Sequence, residues 1–109
     1  MKSRPDATAF GLKPEVLQQL EAVFQAYKSI ESVVLYGSRA KGTYHAGSDI
    51  DITIKGDHIT DSLLGKIEEE IDDLLLPYSF DISSWQQIDN PALREHIERV
   101  GVVIYQRIH

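Results

Sequence analysis

The chain has 109 residues and no cysteine, and 11 Lys and Arg residues against 17 Asp and Glu residues give a formal net charge of −6. This length suits one domain over residues 1–109 and leaves no room for a separate substrate domain. Without cysteine, disulfides, thiolate metal sites and thiol nucleophiles are excluded. The acidic balance argues against a long nucleic acid held by this chain alone, because such binding draws on cations that release counterions from phosphates. No stretch approaches the roughly 20 apolar residues of a membrane span, so we expect a cytoplasmic protein that binds no membrane.

The first elements are predicted from the spacing of apolar residues. Residues 1–12 carry no periodic pattern and are expected to form a loose lead-in. A helix is predicted from Pro14 to about Lys28, because apolar residues recur there at helical spacing and proline is favourable at a first helical position. A short run rich in β-formers then predicts a strand from about Ser32 to Tyr36.

This strand stops at a glycine-serine turn. Gly37 lets the backbone come close to a ligand, and the hydroxyl of Ser38 can bond a phosphate oxygen or cap a short helix. One helical turn is predicted at 38–41, followed by an irregular loop and a second strand at about 49–55. A connection this short favours an antiparallel pair of strands, which brings the turn next to the start of the second strand.

Two acids open the second strand. Asp49 and Asp51 are two residues apart, so the period of a strand places both on one face, while the isoleucines between and after them point to the other. Neighbouring carboxylates repel each other unless a cation lies between them, and oxygen ligands suit Mg²⁺. Arg39 and Lys41 could add local positive charge for a phosphate group, and the alternative for each is a surface cation. The segment therefore indicates a nucleotide site with a divalent metal.

The second half of the chain predicts a crossover unit. Thr60 is a plausible cap for an amphipathic helix that ends before Pro77, and its many acids are interpreted as a solvated face. A third strand is predicted at about 78–83, parallel to the second and reached by a right-handed crossover. If the two strands are adjacent, Asp81 faces the same way as the two earlier acids, although a lone polar residue in a strand is most simply a surface position.

A last helix and strand complete the chain. Asn90 and Pro91 mark the start of the helix by the cap and first-position preferences, and Gly101 ends it. Residues 102–105 predict an edge strand. The elements together predict an α/β (α+β) fold with a small mixed sheet flanked by helices.

The spacing of the motif resembles a known signature. Gly37-Ser38, ten residues and then Asp49-x-Asp51 is similar to the pattern of the polymerase β-type nucleotidyltransferase superfamily. The chain looks most like its smallest members, the minimal nucleotidyltransferases, which often serve as antitoxins of HEPN-domain toxins. The resemblance covers about residues 30–85 and is most specific over 37–51.

The resemblance implies a nucleotidyltransferase fold and a Mg²⁺-dependent transfer of AMP from ATP to a protein hydroxyl. The implied acceptor is a tyrosine of a HEPN toxin. This chain would be the antitoxin of that toxin and would form a hetero-oligomer with it. It implies that Asp49 and Asp51 bridge two Mg²⁺ ions and that Asp81 binds the ion that activates the acceptor. It assigns the β and γ phosphates to Gly37 and Ser38. Triphosphate charge would be neutralised by Arg39 and Lys41.

Other interpretations remain beside this one. The same fold could neutralise a HEPN partner by binding alone, with nucleotide only regulatory, or could act on a small alcohol, for which the chain offers no pocket domain. Gly37-x4-Gly42 imitates the start of a P-loop, but Thr43 stands where that motif requires lysine. No role is assigned to three further residues near the motif, His45, Tyr36 and Trp85.

Overall fold

The structure, a computed structural model, describes residues 11–43, 45, 47 and 49–108. Its helices and strands are α1 Pro14–Gln25, β1 Ile30–Tyr36, α2 Gly37–Lys41, β2 Ile50–Gly56, α3 Asp61–Asp73, β3 Phe80–Ser84, α4 Pro91–Val100 and β4 Val102–Gln106. One turn of 3-10 helix, Trp85–Gln87, follows β3. Each predicted helix and strand is present with its ends within a few residues of the prediction. The predicted lead-in falls largely on residues 1–10, which lie outside the described residues.

The four strands form one mixed sheet in the order β3-β2-β1-β4. The central strand β1 is antiparallel to both β2 and β4, whereas β2 and β3 are parallel. The predicted antiparallel pair, the parallel crossover pair and the edge position of the last strand are therefore confirmed. So is the predicted α/β (α+β) class, a small mixed sheet flanked by helices.

The larger core lies on the sheet face that α1 and α3 cover. The three isoleucines of β2, Ile50, Ile52 and Ile54, are all fully buried there, as the alternation of the strand predicts. Apolar residues at helical spacing on the two helices pack against them: Val16, Leu17, Leu20, Phe24, Leu64, Ile67 and Ile71. Burial of this face supplies most of the hydrophobic stabilisation of the domain.

A smaller cluster lies on the opposite face. Val34 and Tyr36 of β1 pack with Ile97 of α4, and Trp85 and Leu93 lie at its margin. This cluster covers part of its face, and the side chain of Asp81 on the edge strand is exposed. The second face of the sheet therefore has a polar area beside a small apolar one.

Local signals set where the two longer C-terminal helices begin. The hydroxyl of Thr60 accepts the Leu63 N–H at 3.1 Å, and the Asn90 side chain accepts the N–H groups of Ala92 and Leu93 at 2.9 and 3.3 Å. These caps satisfy amide groups that the first turn of a helix leaves without a partner. No helix among the described residues has the length and apolar character needed to cross a membrane.

Candidate active site

Three polar residues form one row across the sheet. Tyr36 of β1 lies opposite Asp51 of β2, and Asp51 lies opposite Asp81 of β3. Residues paired in this way point to the same face, so the row places two carboxylates side by side on neighbouring parallel strands about 5 Å apart. The prediction for Asp81 required the second and third strands to be adjacent, and β2 and β3 are neighbours in the sheet.

Asp49 lies immediately before β2 rather than inside it, and its side chain is exposed. The pKa of Asp51 is raised, first by burial and then by the negative charges of Asp81 and Asp49, while the charge of His96 lowers it. The charges of Asp81 and Asp49 are therefore near enough to oppose the ionisation of Asp51. A cation bound among them would relieve that repulsion.

The phenol of Tyr36 belongs to the same electrostatic environment. Its pKa is raised by burial, while a hydrogen bond to Ser83 lowers it and the charges of Asp81 and Asp51 raise it further. The ring is 8% exposed and packs edge-on against His96, with the ring centroids 6.3 Å apart. Tyr36 is therefore buried beside the two carboxylates of the row and has a packing role.

The glycine-serine turn packs directly on the acidic row. Gly37 has φ +77°, in the left-handed region that favours glycine, and a Cβ built on it would overlap Oδ2 of Asp51 and lie 3.2 Å from its Cγ. Glycine is needed here for two reasons, the backbone conformation and the approach of the carboxylate. Sequence reasoning identified the turn, but the contact that excludes a side chain is visible only in the fold.

The two predicted cations of the turn lie in different environments. Lys41 is exposed at the end of α2, where a phosphate group can approach it. Arg39 is 2% exposed, and its guanidinium carbon lies 5.3 Å from the centre of the Tyr78 ring. A triphosphate would reach Arg39 only if its side chain moved. Ser38, half-buried at the start of α2, follows Gly37 and precedes both cations in sequence.

Sequence reasoning missed His96 of α4. Its Nε2 accepts a hydrogen bond from the Gly37 N–H at 3.2 Å, across 59 residues of chain. The available signal was the phase of the last helix, because His96 follows Leu93 by three positions and precedes the buried Ile97 by one. That phase places it at the border of the inward stripe, but the sequence does not say what it touches.

Trp85, the other aromatic residue near the motif strands, is held by cations. The guanidinium of Arg94 lies 4.3 Å from its ring centre and the ammonium of Lys55 lies 4.5 Å away. Arg94 also donates to the carbonyl oxygen of Trp85 at 2.8 Å. These contacts tie the 3-10 turn to α4 and β2, and Trp85 has a packing role. The loop residue His45 is exposed.

The residues of the acidic row suit a divalent metal by their chemistry, since carboxylate oxygens are the ligands that Mg²⁺ prefers. Within the described part of the chain, no group of three or more His, Cys, Asp or Glu side chains is already gathered closely enough to hold a metal ion. The backbone places Asp51 and Asp81 on neighbouring strands, and Asp49 lies immediately before the first residue of β2. Binding by all three would therefore require side-chain rotation about a backbone that is already in place.

Comparison with known proteins gives a family match. The family described as polymerase beta, nucleotidyltransferase matches residues 18–109, which include the turn, the acidic row and α4. No match is found among curated proteins.

Several solved structures share the fold. A toxin-antitoxin structure with AMP-PNP has a TM-score of 0.69 at 17% identity, over 84% of this chain and 73% of the other. A structure of the tri-AMPylated Shewanella oneidensis HEPN toxin in complex with MNT antitoxin has a TM-score of 0.64 at 13% identity, over 85% and 71% of the two chains. A putative nucleotidyltransferase from Sulfolobus solfataricus has a TM-score of 0.55 at 21% identity, over 85% and 79%. These similarities establish a common fold.

Proposed function

Because the chain belongs to the polymerase beta nucleotidyltransferase family, we propose that it transfers AMP from ATP to a hydroxyl group of a HEPN-domain partner protein and so acts as its antitoxin. The observation that carries the proposal is the row that sets Asp51 beside Asp81, with the glycine-serine turn packed against Asp51. Similar folds occur in structures of toxin-antitoxin complexes, one of them with AMP-PNP and one with an AMPylated HEPN toxin.

The proposed metal ligands are Asp49, Asp51 and Asp81, which would hold two Mg²⁺ ions. When bound, Mg²⁺ would neutralise charge on the triphosphate and stabilise the entering and leaving oxygens of an in-line displacement. Burial raises the pKa of Asp51, and the negative charges of Asp81 and Asp49 raise it further. The assignment is supported by this second effect, because a cation bound there would relieve the repulsion.

The proposed nucleotide contacts come from the turn and from α2. The Ser38 hydroxyl would donate to a phosphate oxygen, and Lys41, exposed nearby, would pair with triphosphate charge. Gly37 contributes its conformation, since its N–H already donates to His96. Arg39 remains in the proposed set, although its burial requires a side-chain movement before it meets phosphate.

The proposed reaction breaks the bond between the α-phosphorus and the bridging oxygen and forms a bond from the acceptor oxygen to the same phosphorus. Pyrophosphate leaves, and the proton of the acceptor hydroxyl passes to Asp81, which is exposed on the edge strand where an acceptor from another protein can reach it. In this proposal the partner presents its own tyrosine to the exposed Asp81. The assembly would be a hetero-oligomer.

The test incubates the chain with a cognate HEPN-domain protein, ATP and Mg²⁺ and measures the intact mass of that partner by mass spectrometry. We expect a mass increase of one AMP, less water, for each transfer, and its loss in Asp51→Asn and in Asp81→Asn. Asp57→Asn is the matched control, because Asp57 is exposed just after the opposite end of β2. An unchanged partner mass with the wild-type chain would overturn the enzymatic proposal.

The same variants separate catalysis from neutralisation by binding alone. If the HEPN partner were still neutralised by Asp49→Asn and Asp51→Asn, the chain would act by occupying its partner. Growth of cells that express the toxin with each variant measures this directly. The catalytic proposal expects growth with wild type and Asp57→Asn only.

A further inference from the structure

The start of α2 lacks a local cap. Its N-cap residue is Tyr36, whose side chain makes no capping hydrogen bond, and the Gly37 N–H is among the first amides of a helix that the helix itself cannot satisfy. The Gly37 N–H instead donates to Nε2 of His96 at 3.2 Å. A side chain from α4 therefore accepts from the first amide of α2, one position before the amides that an N-cap side chain usually satisfies.

Two further contacts define the position of His96. Its half-buried ring packs edge-on against Tyr36, the residue before the turn. Because Nε2 accepts a hydrogen bond, the proton of the neutral ring is on Nδ1. When the ring is protonated instead, its charge lowers the pKa of Asp51, so the imidazole also lies near the acidic row. One imidazole therefore meets the turn, the end of β1 and the acidic row.

The geometry points to His96 as a positioning residue of the nucleotide site, one that acts through the Gly37 amide. The inference rests on the proposed function, since it assigns a role in nucleotide binding. The peptide between Tyr36 and Gly37 leads into the left-handed conformation at Gly37, and the α-carbon of Gly37 lies against the Asp51 carboxylate without room for a methyl group. Rotation of that peptide would move both the turn that carries Ser38 and the surroundings of Asp51. The hydrogen bond to His96 holds the peptide plane in place.

The variants separate the acceptor from the ring and from the helix. His96→Phe keeps an aromatic ring against Tyr36 and removes the acceptor, whereas His96→Gln removes the ring and offers an acceptor oxygen. Glu98→Gln is the matched control, because Glu98 is exposed on the same helix. Each protein is compared by the exchange rate of the Gly37 amide proton in NMR, by calorimetric titration with MgATP and by thermal unfolding.

We expect His96→Phe to speed exchange of the Gly37 amide and to weaken MgATP binding by about three- to tenfold, the effect of one lost hydrogen bond. His96→Gln should restore most of both, although it loses the ring, and Glu98→Gln should match wild type. A residue that mattered only for packing would give the reverse order, with His96→Phe the milder change.

Three results would overturn the inference. The first is slow exchange of the Gly37 amide in His96→Phe, which would show that the contact does not protect it. The second is MgATP affinity in His96→Phe equal to or higher than wild type, the higher value meaning that His96 competes with phosphate for the amide. The third is a wild-type chain that does not bind MgATP while its Gly37 amide is protected, which removes the proposed function and the role of His96 with it.

Discussion

Replacing Gly37 with alanine tests the packing of the turn on the acidic row. The new methyl group would overlap Oδ2 of Asp51, so the carboxylate must turn away, and the residue must also hold φ +77°. The left-handed conformation costs an alanine about 1 kcal/mol net, after the loss of unfolded-state entropy is taken into account. Pushing a side chain off its rotamer adds about 0.5–1.5 kcal/mol. We expect Gly37→Ala to destabilise the domain by about 2 kcal/mol and to lower its Tm by roughly 8–16 °C.

Gly42 provides a matched control for the backbone term. It has φ +81°, and a Cβ built on it meets nothing within 4 Å. Gly42→Ala should therefore lower the free energy of unfolding only through its backbone conformation, by about 1 kcal/mol, which corresponds to a decrease of roughly 4–8 °C in Tm. The difference between the two variants isolates the displacement of Asp51.

The assay is thermal unfolding by circular dichroism without divalent metal, followed by calorimetric titration with MgATP below both transitions. We expect Gly37→Ala to lose nucleotide binding and Gly42→Ala to keep it, because only the first moves a proposed metal ligand. Equal Tm values for the two variants would refute the reasoning that the turn and Asp51 share one space. Retained MgATP binding by Gly37→Ala would refute the link from that space to the site.

Three further predictions concern single groups. Asp51→Asn should raise Tm by about 2–4 °C at neutral pH without metal and should abolish MgATP binding, a combination that misfolding cannot produce. The sign follows from the raised pKa of Asp51, since a carboxyl whose pKa is higher in the folded state loses its contribution to stability as pH rises through that pKa. A variant that is less stable than wild type would contradict this prediction. The hydrogen bond to Glu70 raises the pKa of Tyr27 to about 12, so wild type should lose stability between about pH 10 and pH 12. Tyr27→Phe should lack that part of the loss. Chemical denaturation at each pH measures the difference. Gly65→Ala, on the exposed side of α3 with open space around it, should stabilise the domain by about 0.5–1 kcal/mol in urea unfolding, and a loss of stability would mean that the glycine has a packing role.

Much of the site was predictable because its motif is local. Gly37, Ser38 and the acids Asp49 and Asp51 lie within 15 consecutive residues, and the alternation of a strand assigns their faces without any tertiary information. The structure confirms the antiparallel pairing that brings the turn to the start of β2. The roles of these residues in binding metal and nucleotide stay predictions.

Other features could not be read from the motif. Asp49 was expected inside the second strand and lies just before it, because the pairing with Tyr36 begins β2 near Asp51. Arg39 was predicted to contact phosphate, but the fold buries its side chain against Tyr78. The sequence around Arg39 does not indicate whether its side chain is buried. The contact between His96 and Gly37 joins two helices that no periodicity relates.

The sequence by itself determined which segments become helices and strands, since apolar periodicity and caps such as Thr60 and Asn90 act over a few residues. It also determined that paired acids follow a glycine-serine turn. Only the tertiary structure decided that Asp81 lies beside Asp51 and that His96 holds the Gly37 amide. Strand order and helix docking bring together residues 30 to 59 positions apart, and those arrangements depend on which apolar faces the whole chain can bury together.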